Sequence, residues 1–248
     1  VMAQTREHLQ IVRLLGVPDG LVVISKIDLV EPSFVELVVE DIRRLVAGTC
    51  LEGKPVVPFS AKTKQGLPEL RATLERALTG LRTRAGSGPF RLPIQRVFVK
   101  EGFGTVLTGV TVSGSVGLGE SVGILPPGYQ GRVKGLQAYG RKIARAHAGH
   151  SAAVNVSGIE REAVRRGMEA VTPDIFRPTH LVAAHLRHLS DAPYPLKHRA
   201  PVRFHAGTAE IMGKVLLLDV EQMLPGTEGF VQLLLEEPAV LIPGDRFI

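Results

Sequence analysis

Residues 21–30 read LVVISKIDLV, and this stretch sets the architecture expected for the first part of the chain. Leu21–Ile24 is an uninterrupted apolar run of strand length, which predicts a strand buried in a parallel sheet. Ser25–Asp28 follow directly, at the carboxyl end of the strand, where open α/β sheets bind ligands. There Asp28 can accept two N–H groups from a guanine edge, and the stem of Lys26 can cover the ring face. A buried strand that runs into a polar loop without a ligand is the alternative that this stretch alone leaves open.

A second polar turn follows the next predicted strand. Val56–Phe59 has strand character and ends in Ser60, Ala61 and Lys62. One strand–helix–strand unit separates this turn from Asp28, so neighbouring parallel strands would present both turns at one edge of the sheet. The backbone N–H groups of Ala61 and Lys62 can then donate to a carbonyl such as guanine O6. Each motif is weak alone, but the pair at this spacing predicts a guanine pocket. Its predicted residues are Ser25, Lys26, Asp28, Ser60, Ala61 and Lys62.

Three amphipathic helices are predicted around these strands. The first spans Thr5–Gly16, with Thr5 as its N-cap. The second begins at Ser33, whose capping-box partner is Glu36. The third follows Gly66 and spans Leu67–Leu81. The order helix, strand, helix, strand, helix is that of the back half of a doubly wound α/β domain.

Beyond a Gly/Ser/basic linker at residues 82–89, the hydrophobic period changes from that of helices to that of strands. Short β-rich runs separated by glycine-rich turns predict one small antiparallel barrel before Pro173 and another after it. The first set is Leu92–Val99, Gly104–Val112, Glu120–Leu125, Gly131–Gln137 and Ser151–Val156, and the second is Thr179–Leu186, Ala200–His205, Ala209–Leu217, Gly229–Leu235 and Ala239–Ile242. The predicted fold class is therefore α/β plus all-β, with domains at residues 1–85, 86–172 and 173–248.

Charge, apolar segment length and cysteine content indicate the kind of protein and its partners. The 248 residues carry a formal net charge of +6, which points toward a polyanionic partner such as nucleic acid. No apolar segment reaches the roughly 18 residues of a membrane span. The single cysteine, Cys50, excludes an intramolecular disulfide framework and fits a reducing cytoplasm. Residues 1–8 lack a signal-peptide core, and the initial Val1 is typical of a cut into a longer chain.

These motifs resemble those of the translational GTPases. Ser25–Asp28 is similar to the family's Asn/Thr-Lys-x-Asp base-recognition motif, with Ser in the first position, and Ser60–Lys62 to its Ser-Ala-Lys/Leu motif. Within the elongation factor Tu relatives, the chain looks most like the selenocysteine-specific branch. The segments that carry this resemblance are Val1–His8, Lys100–Gly109 with Ser113–Gly114, Pro195–Arg199, His205–Glu210 and Leu241–Ile248. The resemblance implies the C-terminal half of a GTPase domain followed by two translation-factor β-barrels.

The resemblance also implies a larger parent that binds GTP or GDP with Mg²⁺. The 248 residues contain no G-x-x-x-x-G-K-[ST] sequence, so the Mg²⁺ ligands and phosphate-binding residues are expected outside them. A C-terminal domain that reads a selenocysteine-insertion mRNA hairpin is expected outside them as well. We therefore predict that this chain alone does not hydrolyse GTP. Turnover by the purified 248-residue chain above a buffer control would contradict this.

In the family, the first barrel recognises selenocysteinyl-tRNA through cationic residues, which suits an ionised selenol. Gln95 and Arg96 fall where the family has Asp-Arg, so the Arg is kept and the Asp is not. Gly149, His150 and Ser151 fall where a Gly-x-Arg supplies a second cation. The resemblance implies selenocysteine-pocket roles for Arg96 and for a protonated His150. A strand arginine with its head in solvent and a loop histidine are the alternatives.

Further basic residues are candidate tRNA contacts. In the second barrel Lys197, His198 and Arg199 form a predicted basic cluster with His205, and the resemblance implies contact of Lys197 and Arg199 with the tRNA acceptor arm. Metal binding by the histidines of this region is not expected, because no cysteine or acidic ligand accompanies them. In the first barrel the basic residues are Arg132, Lys134, Arg141, Lys142, Arg145, Arg161, Arg165 and Arg166.

Three functions stay open at this point. The first is GTP-dependent delivery of selenocysteinyl-tRNA to the ribosome in the cytoplasm. The second is carriage of ordinary aminoacyl-tRNA or initiator tRNA by another elongation factor Tu relative, which the departures at Gln95 and Ser151 allow. The third is a non-catalytic tRNA or ribosome interaction module with a vestigial guanine pocket, because Ser25 has less reach than Asn or Thr.

Overall fold

The computed structural model describes residues 2–79, 86–100 and 104–248. The chain divides into two compact units, residues 1–82 and 83–248. Part of the predicted linker, residues 82–85, lies outside the described residues, as do residues 101–103 of the segment that begins at Lys100.

Within residues 2–79, the first unit has three α-helices and a two-stranded parallel sheet. Strands β1 and β2 pair in parallel register from Val22↔Val56 to Ser25↔Phe59, as the apolar runs predicted. The predicted burial of β1 is wrong, because its residues are only half-buried or exposed, with Val23 40% exposed on a sheet of two strands. A 3₁₀ turn, Ile27–Leu29, follows β1 and anchors itself through the buried side chain of Ile27. The elements are α1 (Ala3–Leu14), β1 (Val22–Ser25), α2 (Pro32–Val46), β2 (Val56–Phe59) and α3 (Leu67–Thr79).

The predicted helix caps are wrong. Helix α1 begins at Ala3, so Thr5 lies inside the helix, and the N-cap is Met2. Helix α2 begins at Pro32 with Glu31 as its N-cap and without a side-chain cap. Proline suits the first helical position, because its fixed φ is helical and its missing N–H has no intrahelical partner there. Ser33 consequently lies inside the helix and does not cap it.

Several large apolar side chains of the first unit are exposed. On α3 the leucine stripe is only partly covered, with Leu74 43% and Leu78 63% exposed. On α2, Phe34 is 54% and Leu37 66% exposed. A sheet of two strands is too narrow to bury the apolar faces of three helices. The first unit therefore has a smaller core than a complete doubly wound domain.

We expect limited proteolysis of the 248-residue chain to cleave within residues 1–79 before it cleaves within the second unit. Partial burial lowers the free energy of local opening, and cleavage follows opening. Mass spectrometry of early fragments would identify the cuts. Early cleavage in the second unit that spares residues 21–30 would contradict this.

The second unit opens with a closed antiparallel barrel of six strands. Strand order runs β10-β4-β3-β11-β6-β7, and β7 pairs back to β10. Closure leaves the six strands without a free edge. Its core contains Phe90, Leu92, Ile94, Leu107 and Ile124, each at most 2% exposed. The strands of this region are β3 (Arg91–Lys100), β4 (Gly104–Val110), β5 (Ser115–Gly117), β6 (Ser121–Leu125), β7 (Tyr129–Ala138), β8 (Arg141–Lys142), β9 (Arg145–His147), β10 (Ser151–Ser157) and β11 (Glu169–Val171).

The second part of this unit is a four-stranded antiparallel sheet with strand order β12-β17-β15-β14, accompanied by a two-stranded ribbon of β13 and β16. Phe204, Val215, Val231 and Leu233 form the centre of its core. The predicted separate strand Ala239–Ile242 is wrong, because β17 continues to Ala239 and the chain then turns. The α/β plus all-β fold class is confirmed. The strands are β12 (Thr179–Arg187), β13 (Leu196–Lys197), β14 (Pro201–Ala206), β15 (Ala209–Leu217), β16 (Gln222–Met223) and β17 (Glu228–Ala239).

A buried arginine joins the six-stranded barrel to the end of the chain. Arg91, at the start of β3, is 4% exposed. Its Nε and Nη2 donate to the two carboxylate oxygens of Glu169 on β11, both at 3.0 Å. Its Nη1 donates to Asp245 Oδ1 at 3.1 Å, and Nη2 lies 3.0 Å from Asp245 Oδ2. One guanidinium thus holds a carboxylate of the barrel and a carboxylate of the turn after β17.

Candidate guanine and tRNA sites

The two predicted turns meet at the carboxyl ends of β1 and β2. The hydroxyl of Ser60, which is fully buried, donates to Asp28 Oδ1 at 2.6 Å. The Ser60 oxygen in turn accepts the backbone N–H of Thr63 at 3.1 Å. These bonds hold the Asp28 carboxylate in one orientation while leaving its second oxygen for a ligand. The structure therefore brings together the Ser-Lys-x-Asp and Ser-Ala-Lys segments that the sequence placed at one sheet edge.

Lys26 occupies a left-handed backbone conformation, with φ +63°. A non-glycine residue pays about 1 kcal/mol for this conformation. The turn that requires it is closed by the Leu29 N–H, which donates to the Lys26 carbonyl at 3.1 Å. Ser25 and Lys26 are exposed, so the lysine stem is free to cover a ring that is bound at Asp28. Strain of this kind is concentrated at ligand sites.

Ala61 and Lys62 are exposed, and within the described part of the chain their backbone N–H groups donate to no acceptor. Both groups are therefore available to a carbonyl oxygen of a ligand. The loop that carries them is closed by two backbone bonds between Ser60 and residues 64 and 65.

Gly66 supports the loop, although the sequence predicted only that a helix begins after it. A Cβ atom at Gly66 would lie 2.1 Å from the carbonyl oxygen of Pro58, and its φ is +78°. Only glycine fits this close approach of the loop to β2. The signal was an isolated glycine between a polar turn and a helix, but sequence alone does not show the approach to Pro58.

The hydrogen bond from Ser60 holds the pKa of Asp28 below its ordinary value. Because the folded-state pKa is depressed, ionised Asp28 adds stability above its unfolded-state pKa, and this contribution is lost as the pH falls through the folded-state pKa. We expect Ser60→Ala to raise the pKa of Asp28. An NMR titration of the Asp28 carboxyl carbon would measure this. The internal control is Asp19, whose pKa is lowered by Lys54 and should not change. An unchanged Asp28 titration would contradict the assigned role of Ser60.

Arg96 lies on the outer face of the barrel. It pairs with Thr108 of β4, which in turn pairs with Ala153 of β10. The neighbouring outward row contains Val110, which pairs with Ser151. Cross-strand partners and residues two apart on a strand share a face. The register therefore places Arg96 and Ser151 on the same outer surface of the barrel.

Gln95 lies at a β-bulge, because the register shifts between Ile94 and Arg96. Its side chain is exposed. A bulge reorients side chains locally, so the position that is acidic in the resembling family is here held by a neutral residue on irregular backbone.

His150 precedes β10, next to the same outer surface. Its Nδ1 accepts the backbone N–H of His147 at 3.3 Å. Only a ring without a proton on Nδ1 can accept this bond. The arrangement therefore leaves Nε2 as the ring nitrogen that can contact a ligand.

The residues of the predicted basic cluster of the second sheet do not all lie together. Lys197 and His198 line an open depression together with residues 218–222, which include Asp219 and Glu221. Arg199 is exposed and has a left-handed φ of +63°. His205 lies on β14 opposite Glu210 and does not line this depression. The surface near Lys197 therefore carries both signs of charge.

Two of the basic residues predicted as tRNA contacts in the first barrel form ion pairs at the surface. Arg145 pairs with Glu120, and Arg165 pairs with Glu237. Among the described residues, no group of three His, Cys, Asp or Glu side chains is arranged to hold a metal ion. No helix in the described part of the chain is long and apolar enough to cross a membrane.

Two domain families match the chain. Residues 1–79 match the GTP-binding domain of elongation factor Tu, and residues 183–248 match the β-barrel domain of the selenocysteine-specific elongation factor. The first match agrees with the predicted guanine site, because its family binds guanine nucleotides. The second match covers the segments Pro195–Arg199, His205–Glu210 and Leu241–Ile248 that carried the resemblance.

The chain is similar over its full length to several curated proteins. It is 41% identical to the selenocysteine-specific elongation factor of Desulfomicrobium baculatum and spans 39% of that protein. It is 29% identical to elongation factor Tu 2 of Streptomyces avermitilis and spans 67% of it. It is also 29% identical to the selenocysteine-specific elongation factor of Haemophilus influenzae, of which it spans 39%.

Solved structures agree in fold. A bacterial selenocysteine-specific elongation factor, EF-Sec, superposes on the whole chain with a TM-score of 0.85 at 25% identity, and the match covers 40% of that chain. The apo form of elongation factor SelB from Methanococcus maripaludis superposes on 98% of the chain with a TM-score of 0.86 at 23% identity, over 57% of its own length. The chain is therefore similar along its whole length to selenocysteine-specific elongation factors, and its residues 1–79 match the GTP-binding domain of elongation factor Tu.

Proposed function

We propose that the protein carrying this chain delivers selenocysteinyl-tRNA to the ribosome in a GTP-dependent reaction that inserts selenocysteine at UGA codons. The observation that supports this best is the 41% identity, over all 248 residues, to a selenocysteine-specific elongation factor. The reaction takes place in the cytoplasm under this proposal. Reading of an mRNA hairpin is assigned to sequence outside these 248 residues.

In the proposed guanine pocket, Asp28 accepts the N–H groups of the base edge, and Lys26 covers one ring face. The backbone N–H groups of Ala61 and Lys62 donate to guanine O6, and Ser60 orients the carboxylate. Ser25 ends β1 directly before Lys26. The support is geometric, since the 2.6 Å bond between Ser60 and Asp28 joins the two segments. Phosphate and Mg²⁺ ligands are assigned to residues outside this chain.

In the proposed aminoacyl site, Arg96 supplies the cation that attracts the selenolate, and His150 is proposed to contact the aminoacyl group through Nε2. Because Gln95 is neutral, Arg96 lacks the acidic neighbour that the resembling family has at this position. Lys197 and Arg199 are proposed contacts with tRNA phosphates, and their exposure supports this role.

The experiment compares two tRNAs on the full-length gene product in the presence of GTP. Because the selenol is far more acidic than the serine hydroxyl, selenocysteinyl-tRNA is expected to bind more tightly than seryl-tRNA. Arg96→Ala should reduce this preference, whereas Arg187→Ala, which removes an exposed arginine of the second sheet, should not. Equal affinity of the unmodified protein for the two tRNAs would overturn the proposal in favour of an ordinary aminoacyl-tRNA carrier.

A further inference from the structure

Tyr139 occupies a backbone conformation that does not suit its side chain. Tyr139 and Gly140 form the two-residue turn between β7 and β8, with Ala138 paired to Arg141. Their φ angles are +51° and +75°. Such turns favour Asn or Gly at the first position, since a bulky residue with positive φ is strained. Tyr139 is nevertheless 72% exposed, so burial in a core does not compensate for this strain.

The exposed ring is held in a fixed orientation. The Tyr139 hydroxyl donates to the carbonyl of Gly149 at 3.4 Å. Its ring meets that of His150 in an edge-to-face contact, with centroids 5.9 Å apart. His150 is in turn positioned by His147, through a second edge-to-face contact and the backbone bond to Nδ1. These contacts orient the tyrosine while leaving most of its surface to solvent.

Strand register places Tyr139 beside the proposed aminoacyl site. Ala138 pairs with Ala152, so Tyr139 lies next to Ser151 across the β7–β10 seam. Ser151 pairs with Val110, and Arg96 lies one outward row away on β3. With strands about 4.8 Å apart and a rise of about 3.3 Å per residue, Tyr139 and Arg96 are separated by roughly 15 Å. Both residues face the same outer surface of the barrel.

The residues that follow Tyr139 are cationic. Arg141 and Lys142 form β8 and are exposed. Neither forms an ion pair with a carboxylate in the described part of the chain. An oriented, exposed aromatic ring beside free cations is the combination with which proteins bind unpaired nucleotides, since the ring stacks on a base and the cations attract its phosphates.

We propose that Tyr139 is a stacking platform for an unpaired nucleotide of the bound RNA, with Arg141 and Lys142 contacting the adjoining phosphates. This inference rests on the proposed function, because it assumes RNA on the outer surface that carries Arg96. It adds a residue that contacts a base and predicts a preference for RNA with a single-stranded end. The strained conformation persists because the ring is needed at the tip of this turn.

The test separates stability from binding. In the full-length gene product, Tyr139→Gly should leave the melting temperature unchanged or higher, because glycine adopts a φ of +51° without strain. The same variant should bind a short RNA hairpin with an unpaired 3′ tail about 5- to 100-fold more weakly, while its affinity for the blunt hairpin should change little. Tyr139→Phe should retain most of the binding, because the ring remains.

The matched control is Tyr194→Gly, which removes a tyrosine that is 77% exposed in the second part of the unit. Its affinity for both hairpins should equal that of the unmodified protein. The inference would be overturned if Tyr139→Gly lost affinity equally for the tailed and blunt hairpins, or lost affinity for neither. It would also be overturned if the unmodified protein did not prefer the tailed hairpin. If the unmodified protein discriminates between the two tRNAs and Tyr139→Gly binds the tailed hairpin normally, the proposed function stands and only the stacking inference fails.

Discussion

Replacement of Arg91 by methionine is expected to lower the free energy of unfolding of the second unit by about 3–5 kcal/mol. The methionine leaves the carboxylate of Glu169 buried without its partner, and Glu169 is only 7% exposed. It also releases Asp245 from the barrel. The chain contains no tryptophan, so urea unfolding should be followed by far-UV circular dichroism.

The control is an arginine whose ion pair lies at the surface. Arg203 pairs with Glu210, and their side chains are 63% and 56% exposed. Such pairs contribute about 0–1 kcal/mol, so Arg203→Met should change the free energy of unfolding by no more than that. Equal losses for Arg91→Met and Arg203→Met would show that the buried carboxylate clamp does not stabilise the second unit.

The loss in Arg91→Met should depend on pH. Burial raises the pKa of Glu169, and Arg91 opposes this rise in the unmodified protein. Without Arg91, the pKa of Glu169 is raised further. The variant therefore regains stability relative to the unmodified protein as the pH falls through that pKa, because the carboxyl takes up a proton. The difference in free energy of unfolding between the variant and the unmodified protein should therefore shrink as the pH falls toward the ordinary glutamate pKa of about 4.3. A difference that stays constant with pH would place the loss elsewhere.

Replacement of Asp28 by alanine is expected to reduce the affinity of the full-length gene product for GDP by about 10²- to 10⁴-fold. Two hydrogen bonds to the charged carboxylate are lost, each worth about 1.5–3 kcal/mol. Titration calorimetry would measure the change. Asp19→Ala is the control, because Asp19 is an acidic residue of the same unit that bonds Lys54 at 2.9 Å. A GDP affinity that survives Asp28→Ala would remove Asp28 from the base pocket.

The meeting of the two polar turns at one sheet edge is the feature that local sequence predicted best. An apolar run of strand length, followed at once by a polar turn, is a local signal, and the spacing between the two turns indicates one strand–helix–strand unit. Parallel pairing of β1 with β2 then follows from the chain itself. What local sequence did not show was the direct bond between Ser60 and Asp28, which depends on the register of the two strands.

The features that sequence did not predict depend on distant contacts. Strand β11 was missed because its three residues are all buried and show no alternation. Arg91 and Asp245, which are 154 positions apart, meet only after both parts of the second unit have folded. The position of Gln95 on a bulge and the hydrogen bond between His147 and His150 also depend on neighbouring strands and loops. Residue type alone did not show that the backbone N–H of His147 donates to His150 Nδ1.

The most direct test of the central claim, that the turns after β1 and β2 form one guanine pocket, is the base preference of Asp28→Asn. A carboxamide offers one acceptor and one donor, which match the N1–H and the C2 carbonyl of xanthine, whereas guanine carries an amino group at C2. Affinities of the full-length gene product for GDP and xanthosine diphosphate should be measured before and after the substitution. We expect the preference to change from GDP to xanthosine diphosphate. Retention of the GDP preference, or equal weakening for both nucleotides, would contradict this account.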